Sequence, residues 1–374
     1  MEIARFELEF WLNPLDSKAK YNFGSSCCKP VTVSEMLALT GTDRDEFFRE
    51  IENMSLHYGY FEGMPRLKAA IASLYTDVVT PEMVITAHGG TGANSIVCQA
   101  LCGSGDNVVC VLPSYQQHYS IPEALGSEVR IFNCGAGEEY RVDLEKIRAM
   151  VDKNTKMICL TNPGNPTGYR FSKAELEETA EMAKSVGAYV LCDEIYRGLA
   201  DEYMYSICDL YEKGIVTSST SKVFSSAGTR VGWIVTRDLS IKESLMNCRS
   251  YNSICEGALN ELIAAVILEH KDVFYERSRK IVEEARVALY DWLKSQPHLR
   301  LACDSSGPTS YIYYDFDIPA QKFAEDLLEK KGVLVCQGGC FQQEKSFRIG
   351  YGFGDAEYFK EGLRLLGEYI EELA

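Results

Sequence analysis

The sequence predicts an α/β protein in which a large domain is built on a mostly parallel, seven-stranded sheet and a smaller α+β domain stands beside it. Three observations carry that expectation. Short apolar runs bounded by turn residues recur seven times: MVITA (83–87), NVVCVL (107–112), EVRIF (128–132), KMICLT (156–161), AYVLCD (188–193), IVTSS (215–219) and GWIVT (232–236). Amphipathic stretches separate most of them, as in KAELEETAEMAKSV (173–186). Apolar runs of strand length alternating with helices mean strands buried on both faces, as in a parallel sheet flanked by helices. After about residue 299 the order changes to strand, helix, strand, strand, helix, which describes a separate, smaller unit.

In chain order, residues 1–30 read as an irregular arm, because WLNP and NFGSSCCKP are turn material. Residues 32–52 read as helix. GMPRLKAAIASLYT (63–76) reads as a helix opened by Pro65, whose missing N–H goes unused in a first turn, with Leu67, Ile71 and Leu74 on one face. The seven strands and their helices follow. Residues 255–295 turn wholly helical and rich in Glu, Lys and Arg. Then come YIYYDF as a strand, 319–331 as a helix, VLVCQ and FRIGYG as strands, and 354–373 as a last helix. The expected division is an arm with part of the small domain at 1–45, the large domain at 46–265 and the small C-terminal domain at 266–374.

Composition narrows the function classes. A length of 374 residues suits about two domains and a core that needs no covalent staples. Lys and Arg number 38 against 54 Asp and Glu, and the net charge of −16 disfavours a nucleic-acid partner, since a phosphate backbone takes a basic footprint. The 14 cysteines are scattered, and Cys110, Cys159 and Cys192 sit inside strand-like runs, as buried free thiols do. There is no CxxC, and neither Cys98/Cys102 nor Cys336/Cys340 has a second pair or a histidine at zinc spacing, so no metal is expected. The start, MEIARFELEF, is too charged for a signal peptide, and no run of about 18 apolar residues is present to span a membrane. The expectation is a cytoplasmic protein without membrane contact.

In an open α/β sheet, ligands sit beyond the carboxyl ends of the strands. The residues that follow each apolar run are therefore the candidates. HGGTGANS follows the first run. Its glycines, leading into a helical stretch, offer backbone N–H groups and a helix N-terminus to an anion such as phosphate. Pro113-Ser114-Tyr115, NPGNPTG (162–168), DEIYR (193–197) and Thr220-Ser221-Lys222 follow later runs, and Arg230 stands eight residues beyond the lysine. One edge thus gathers an anion turn, a carboxylate, an amide, a phenol, an aromatic face and a lysine. A ligand that uses all of them has a phosphate, a ring nitrogen that wants a carboxylate, a phenolic oxygen and an aldehyde that wants an amine. Pyridoxal 5′-phosphate (PLP) is that ligand.

The motifs also carry a resemblance. Tyr58 with Gly63-Met64-Pro65, GGTGA (89–93), NPGNPTG, DEIYR, SSTSK with GTRVGW (218–233) and FRIGYG (347–352) resemble the fold-type I PLP enzymes, specifically the class I/II aminotransferases, over almost the whole chain. The resemblance implies the PLP-dependent transferase fold type I and a set of roles. Lys222 is the catalytic lysine that forms the Schiff base and carries the proton. Asp193 pairs with the pyridine nitrogen, Asn165 and Tyr196 hydrogen-bond the 3′-oxygen, and Tyr115 stacks on the ring. Gly90, Thr91, Ser219 and Arg230 hold the phosphate, with Ser221 as a helper. Tyr58 reaches the phosphate of the neighbouring subunit's site, which implies a homodimer. Arg348 grips the substrate α-carboxylate bidentately, aided by Asn165 and the backbone near Gly24.

The implied activity moves the amino group of an α-amino acid to a 2-oxo acid by Schiff-base, ping-pong chemistry. The alternative is a lyase or cyclase acting at the β/γ carbon without net transamination. DEIYRG, RSYNS and FRIGYG resemble poorly defined members of the family more than the aspartate or tyrosine enzymes, a character that capreomycidine-synthase-like enzymes share. A regulator that merely holds the cofactor would carry a DNA-binding segment ahead of the arm. A Rossmann dehydrogenase would need GxGxxG, which HGGTGAN does not match.

Other residues keep simpler roles. Asn162 reads as loop structure, and His57, His88, His118, His270 and His298 lack partner spacing and read as structural. Arg197 and Arg249 read either as structural or as substrate-recognising. Gln337 stands where relatives often carry proline, and Cys27, Cys28, Cys336 and Cys340 are unusual at the expected pocket edges. These departures bear on substrate choice and not on the cofactor.

Overall fold

The structure is a computed structural model that describes residues 2–134 and 140–373. The arm is more ordered than its turn residues imply. It holds a helix, α1 (Glu7–Leu12), a 3-10 turn (Asp16–Lys18) and a two-residue strand, β1 (Tyr21–Asn22). Helix α1 is six residues long and has no side-chain N-cap, so packing and not propensity holds it. Leu8 is buried, and Trp11 Nε1 donates to the Val335 carbonyl at 3.1 Å. The single helix expected across 32–52 is two, α2 (Val33–Thr40) and α3 (Arg44–Glu52). Thr32 forms a capping box with Glu35, and Asp43 opens a second helix by accepting from the Glu46 N–H. Helix α4 (Pro65–Ala72) begins at the expected proline.

Each of the seven apolar runs is a strand of one sheet: β2 (Val84–His88), β3 (Asn107–Leu112), β4 (Glu128–Asn133), β5 (Thr155–Thr161), β6 (Tyr189–Asp193), β7 (Gly214–Ser219) and β8 (Val231–Thr236). Their order is β2-β8-β7-β6-β5-β3-β4, and only β8 runs antiparallel to its neighbours. The connecting helices are α5 (Gly89–Leu101), α6 (Gln117–Ala124), α7 (Leu144–Arg148), α8 (Lys173–Val186), α9 (Ile207–Leu210), α10 (Lys242–Asn252) and α11 (Ala258–Glu269). Both sheet faces are apolar. Val109 and Val111 of β3 share a core with Ile71 of α4, Leu176 of α8 and Leu262 of α11. Their neighbours Val108, Cys110 and Leu112 share another with Val97 of α5, Ile121 of α6 and Leu245 of α10. This period-two alternation between two dry faces explains why the runs read as continuous apolar segments.

The helical stretch breaks at His270, where α12 (Lys271–Leu293) follows α11. The smaller unit adds β9 (Leu299–Leu301), β10 (Thr309–Tyr314), α13 (Ala320–Lys331), β11 (Val333–Leu334), β12 (Cys336–Gln337), β13 (Ser346–Gly350) and α14 (Ala356–Glu371). Its antiparallel sheet has the order β12-β13-β10-β9. Leu289, Phe323, Phe347 and Leu366 join α12, α13, β13 and α14 in one core. The VLVCQ run divides between two sheets: β12 joins β13, while β11 pairs in parallel with β1 and so fastens the arm. The cysteines are free, and Cys110, Cys159 and Cys192 are buried in their strands. No helix among the described residues is long and apolar enough to cross a membrane.

Candidate active site

The strands of the large sheet deliver their polar ends to one cavity of about 750 Å³. Gly24, Gly90, Thr91, Tyr115, Asn165, Asp193, Tyr196, Lys222, Arg230 and Arg348 all line it. Ser219 stands just behind the wall, where its Oγ accepts from the Ser221 N–H at 3.2 Å. Ser221 itself lines the cavity. Tyr58 lies elsewhere, 70% exposed on the surface of this chain.

At the end of β2 the chain turns at Gly89, in the left-handed region (φ +68°), and enters α5. A Cβ on Gly89 would stand 2.6 Å from Arg230 Nη2, so only glycine lets the guanidinium lie against the turn. From β8 a Cβ on Gly232 would come within 2.3 Å of the Gly89 backbone carbon. The N-cap residue His88 makes no capping bond, so the first-turn N–H groups of α5 are left for a ligand.

Asp193, at the end of β6, is 4% exposed. Its Oδ2 accepts from Asn94 Nδ2 at 2.9 Å, and its Oδ1 from the Ile195 N–H at 3.1 Å. Burial pushes its carboxyl up to about 6, against the pull of those donors and of Lys222. A buried carboxylate held this way favours a cationic partner. His118 Nε2 is 3.9 Å from Asp193 Oδ2, but burial lowers the imidazole to about 4, so the contact is that of a neutral ring.

Lys222 Nζ donates to Cys27 Sγ at 3.4 Å. Burial acts against its charge, but Cys27 and Tyr196 outweigh burial and hold the ammonium above its ordinary range. Tyr196 donates its hydroxyl to Ser26 Oγ at 2.9 Å. Tyr115 donates to Glu9 Oε1 at 3.4 Å, and burial pushes its phenol well above the usual value. Arg348 arrives from β13, in the smaller unit. Its Nη1 donates to Asn165 Oδ1 at 2.8 Å and its Nη2 to the Gly24 carbonyl at 2.5 Å. Arg348 Nε is buried without a partner.

The two undecided arginines lie outside the cavity wall. Arg197 bonds the Met204 and Leu74 carbonyls at 2.7 and 3.0 Å and lies 3.6 Å from Glu194. Arg249 is fully buried, 3.9 Å from Glu256. Asn162 Oδ1 accepts from the Phe171 N–H at 3.0 Å, inside its own loop.

Sequence reasoning passed over Asn94, Glu9 and Ser26, and it read His118, which lies 3.9 Å from Asp193, as structural. Asn94 was findable, because it stands four residues after Gly90 in α5 and so shares its face. His118, Glu9 and Ser26 carry no local signal and reach the site only through the fold.

The family model described as aminotransferase class I and II matches residues 40–366. The chain belongs to the class I and II aminotransferases. It is 26% identical over 373 residues to the capreomycidine synthase of Streptomyces vinaceus, covering 97% of this chain and 93% of that one. It is 25% identical over 336 residues to a probable aspartate aminotransferase of Methanocaldococcus jannaschii, covering 86% and 88%. The crystal structure of a PLP-dependent aminotransferase from Streptococcus suis superposes with a TM-score of 0.96 at 35% identity, covering 100% of this chain and 99% of that one. The cofactor of this member of the family is pyridoxal 5′-phosphate. The donor set fits it: a buried carboxylate, a buried amine and an uncapped, glycine-lined helix start beside a guanidinium all meet in one cavity.

Proposed function

We propose that this aminotransferase transfers the amino group of an α-amino acid to a 2-oxo acid by ping-pong chemistry. The observation that carries the reading is the convergence of Lys222, Asp193 and Arg348 on one cavity from β7, β6 and β13. When bound, the cofactor supplies a ring that accepts the electrons left at the substrate Cα. Lys222 Nζ would anchor the cofactor's aldehyde carbon. As the only lysine lining the cavity among the described residues, it is also the amine that would take the Cα proton and return it. Asp193 would hold the ring nitrogen as a cation, with Asn94 keeping the carboxylate oriented. Asn165 and Tyr196 would hold the ring oxygen, and Tyr115 would cover the ring face. Gly90, Thr91, Ser219 and Arg230 would hold the phosphate. Arg348 would receive the substrate carboxylate, its geometry set by Asn165 and the Gly24 carbonyl.

Elimination or cyclisation at the β/γ carbon is the second reading, and the similarity to capreomycidine synthase favours it. One experiment separates the two. Loaded enzyme is mixed with single amino acids while absorbance and products are followed. Conversion of the bound cofactor to its amine form, with an equivalent of 2-oxo acid, supports transfer. Pyruvate or a cyclised product with the cofactor unchanged supports the second reading. Lys222→Ala is expected to give no borohydride-fixable adduct and no turnover.

We also propose a cytoplasmic homodimer in which Tyr58 reaches the partner's phosphate site. Leu56 (98% exposed), Tyr58, Tyr60 and Phe61 form an apolar surface, and Gly59 packs against the Glu256 carbonyl close to exposed Tyr251 and Ile254. Apolar surface on this scale is normally covered by a partner. We propose the division 1–45, 46–265 and 266–374 as well, with its hinge near the His270 junction of α11 and α12.

A further inference from the structure

The cavity wall contains two carboxylates that the reading above does not use. Glu9, from α1, and Asp16, from the following 3-10 turn, both line it. Among the described residues neither has a cationic partner. Glu9 Oε1 accepts from Tyr115, and Asp16 Oδ1 accepts from Asn22 Nδ2. Arg5, the cation nearest Glu9 along the chain, pairs with Glu7 at 3.7 Å, and Lys18, in the same 3-10 turn as Asp16, is exposed and does not line the cavity.

The position of Glu9 is built by the fold. Four hydrogen bonds pin its helix. Glu7 N–H donates to Gln116 Oε1 at 2.9 Å, and Gln116 Nε2 donates to the Arg5 carbonyl at 2.7 Å. Trp11 Nε1 reaches the Val335 carbonyl at 3.1 Å, and Cys340 Sγ the Glu7 carbonyl at 3.8 Å. The Phe6 ring packs 5.2 Å from that of Tyr115.

The lysine and arginine side chains in the wall are Lys222, Arg230 and Arg348. The functional reading assigns the first two to the cofactor. Arg348 is left for the substrate, and its buried, unpartnered Nε independently points to an anionic ligand. A carboxylate seated there takes the last open cation of the wall. The rest of the substrate then runs along a surface whose remaining charges are negative. A second carboxylate would face half-buried Glu9 and exposed Asp16, where like charges repel. An ammonium or guanidinium would instead gain a charge-assisted hydrogen bond.

We propose that the substrate is an α-amino acid with a cationic side chain, and that Glu9, seconded by Asp16, receives that cation. The proposal rests on the functional reading above. Equilibrium calorimetry on the cofactor-loaded protein tests it. L-lysine and L-arginine are compared with their neutral near-isosteres L-norleucine and L-citrulline, and with L-glutamate. Loss of one charge-assisted bond is worth about tenfold or more in affinity, so the cationic amino acids are expected to bind tighter than the isosteres by that factor. L-glutamate is expected to bind most weakly. Glu9→Gln should erase the preference and leave L-norleucine unchanged, and Asp16→Asn should reduce it. Equal affinity for L-lysine and L-norleucine, a preference for L-glutamate, or a preference that survives Glu9→Gln in the folded protein overturns the proposal and leaves the functional reading standing. Should Glu9→Gln fail to fold, the comparison on the unaltered protein decides alone. Silence toward all five amino acids overturns the proposal, and the functional reading is then decided by the absorbance and product experiment described for it.

Discussion

Burial and neighbours pull Lys222 in opposite directions, and the neighbours win. A protonated amine cannot add to an aldehyde, so the contact with Cys27 at 3.4 Å favours the form of Lys222 that cannot react. Cys27→Ala removes the leading influence that raises Lys222. It is expected to speed formation of the borohydride-fixable adduct when cofactor is added to the bare protein near pH 7, measured by stopped-flow absorbance. An unchanged rate would show that the thiol does not hold the proton on the lysine. Arg348 poses a different problem, because it bonds both Asn165 and Gly24 before any substrate arrives. Arg348→Ala is expected to weaken amino-acid binding by about two orders of magnitude, the worth of a charge-assisted pair of about 3 kcal/mol. Cofactor affinity should hardly move. Equal losses in both titrations would remove Arg348 from the substrate site.

Among the elements, the decisive contact is between β8 and the turn that starts α5. The backbone approach there leaves no room for a methyl group: a Cβ on Gly232 would stand 2.3 Å from Gly89 C and 2.7 Å from Gly90 N. Gly232→Ala must push the anion turn outward. It should cost about 1–3 kcal/mol of stability, as overpacking does, and weaken cofactor binding as well. Gly228→Ala is the control, since its Cβ would meet nothing within 4 Å. Equal melting temperatures and cofactor affinities for the two variants would refute the close-approach argument. The strands and their ends were legible in the sequence because each strand of the large sheet carries a pattern that depends on its own residues. Val108 to Leu112 alternate between two dry cores, and Asp193 or Lys222 simply follow such runs. Helix α1 was not legible, because what holds it is a bond from Trp11 to Val335, far along the chain. The break between α2 and α3 is local, but there the cap at Asp43 overrode a helical pattern that would otherwise have continued. Glu9 failed to register, and the place of His118 beside Asp193 stayed hidden, for the first of these reasons, and Asn94 only because its spacing from Gly90 was not used.

For the whole molecule, the ends of the sheet strands that make the site also store an electrostatic conflict. Asp193 and Glu194 are adjacent and fully enclosed, and burial pushes their carboxyls up to about 6 and about 7. Arg197 offsets part of this for Glu194, and Asn94, the Ile195 N–H and Lys222 offset part of it for Asp193. Both groups bind protons more tightly in the folded state than in the unfolded chain, whose ordinary carboxyl values are 3.8 and 4.5. The stability they permit is therefore complete below those ordinary values. It is lost as pH rises, because the unfolded chain sheds its protons first, and the loss is finished once pH passes the folded values. For Asp193 alone the span corresponds to roughly 3 kcal/mol. Carboxylates held low by surface partners, such as Glu62 and Asp152, act in the opposite sense, but only at lower pH. Cofactor-free protein should thus lose stability from pH 5 to pH 7, as measured by urea unfolding. Asp193→Asn cannot ionise and keeps the size of the side chain, although its amide nitrogen can accept neither the Asn94 nor the Ile195 hydrogen bond, so its profile should be flatter over that interval whatever its absolute height. Parallel profiles for the two proteins would mean that Asp193 is already ionised without penalty, and the electrostatic demand for a cation at the end of β6 would disappear with it.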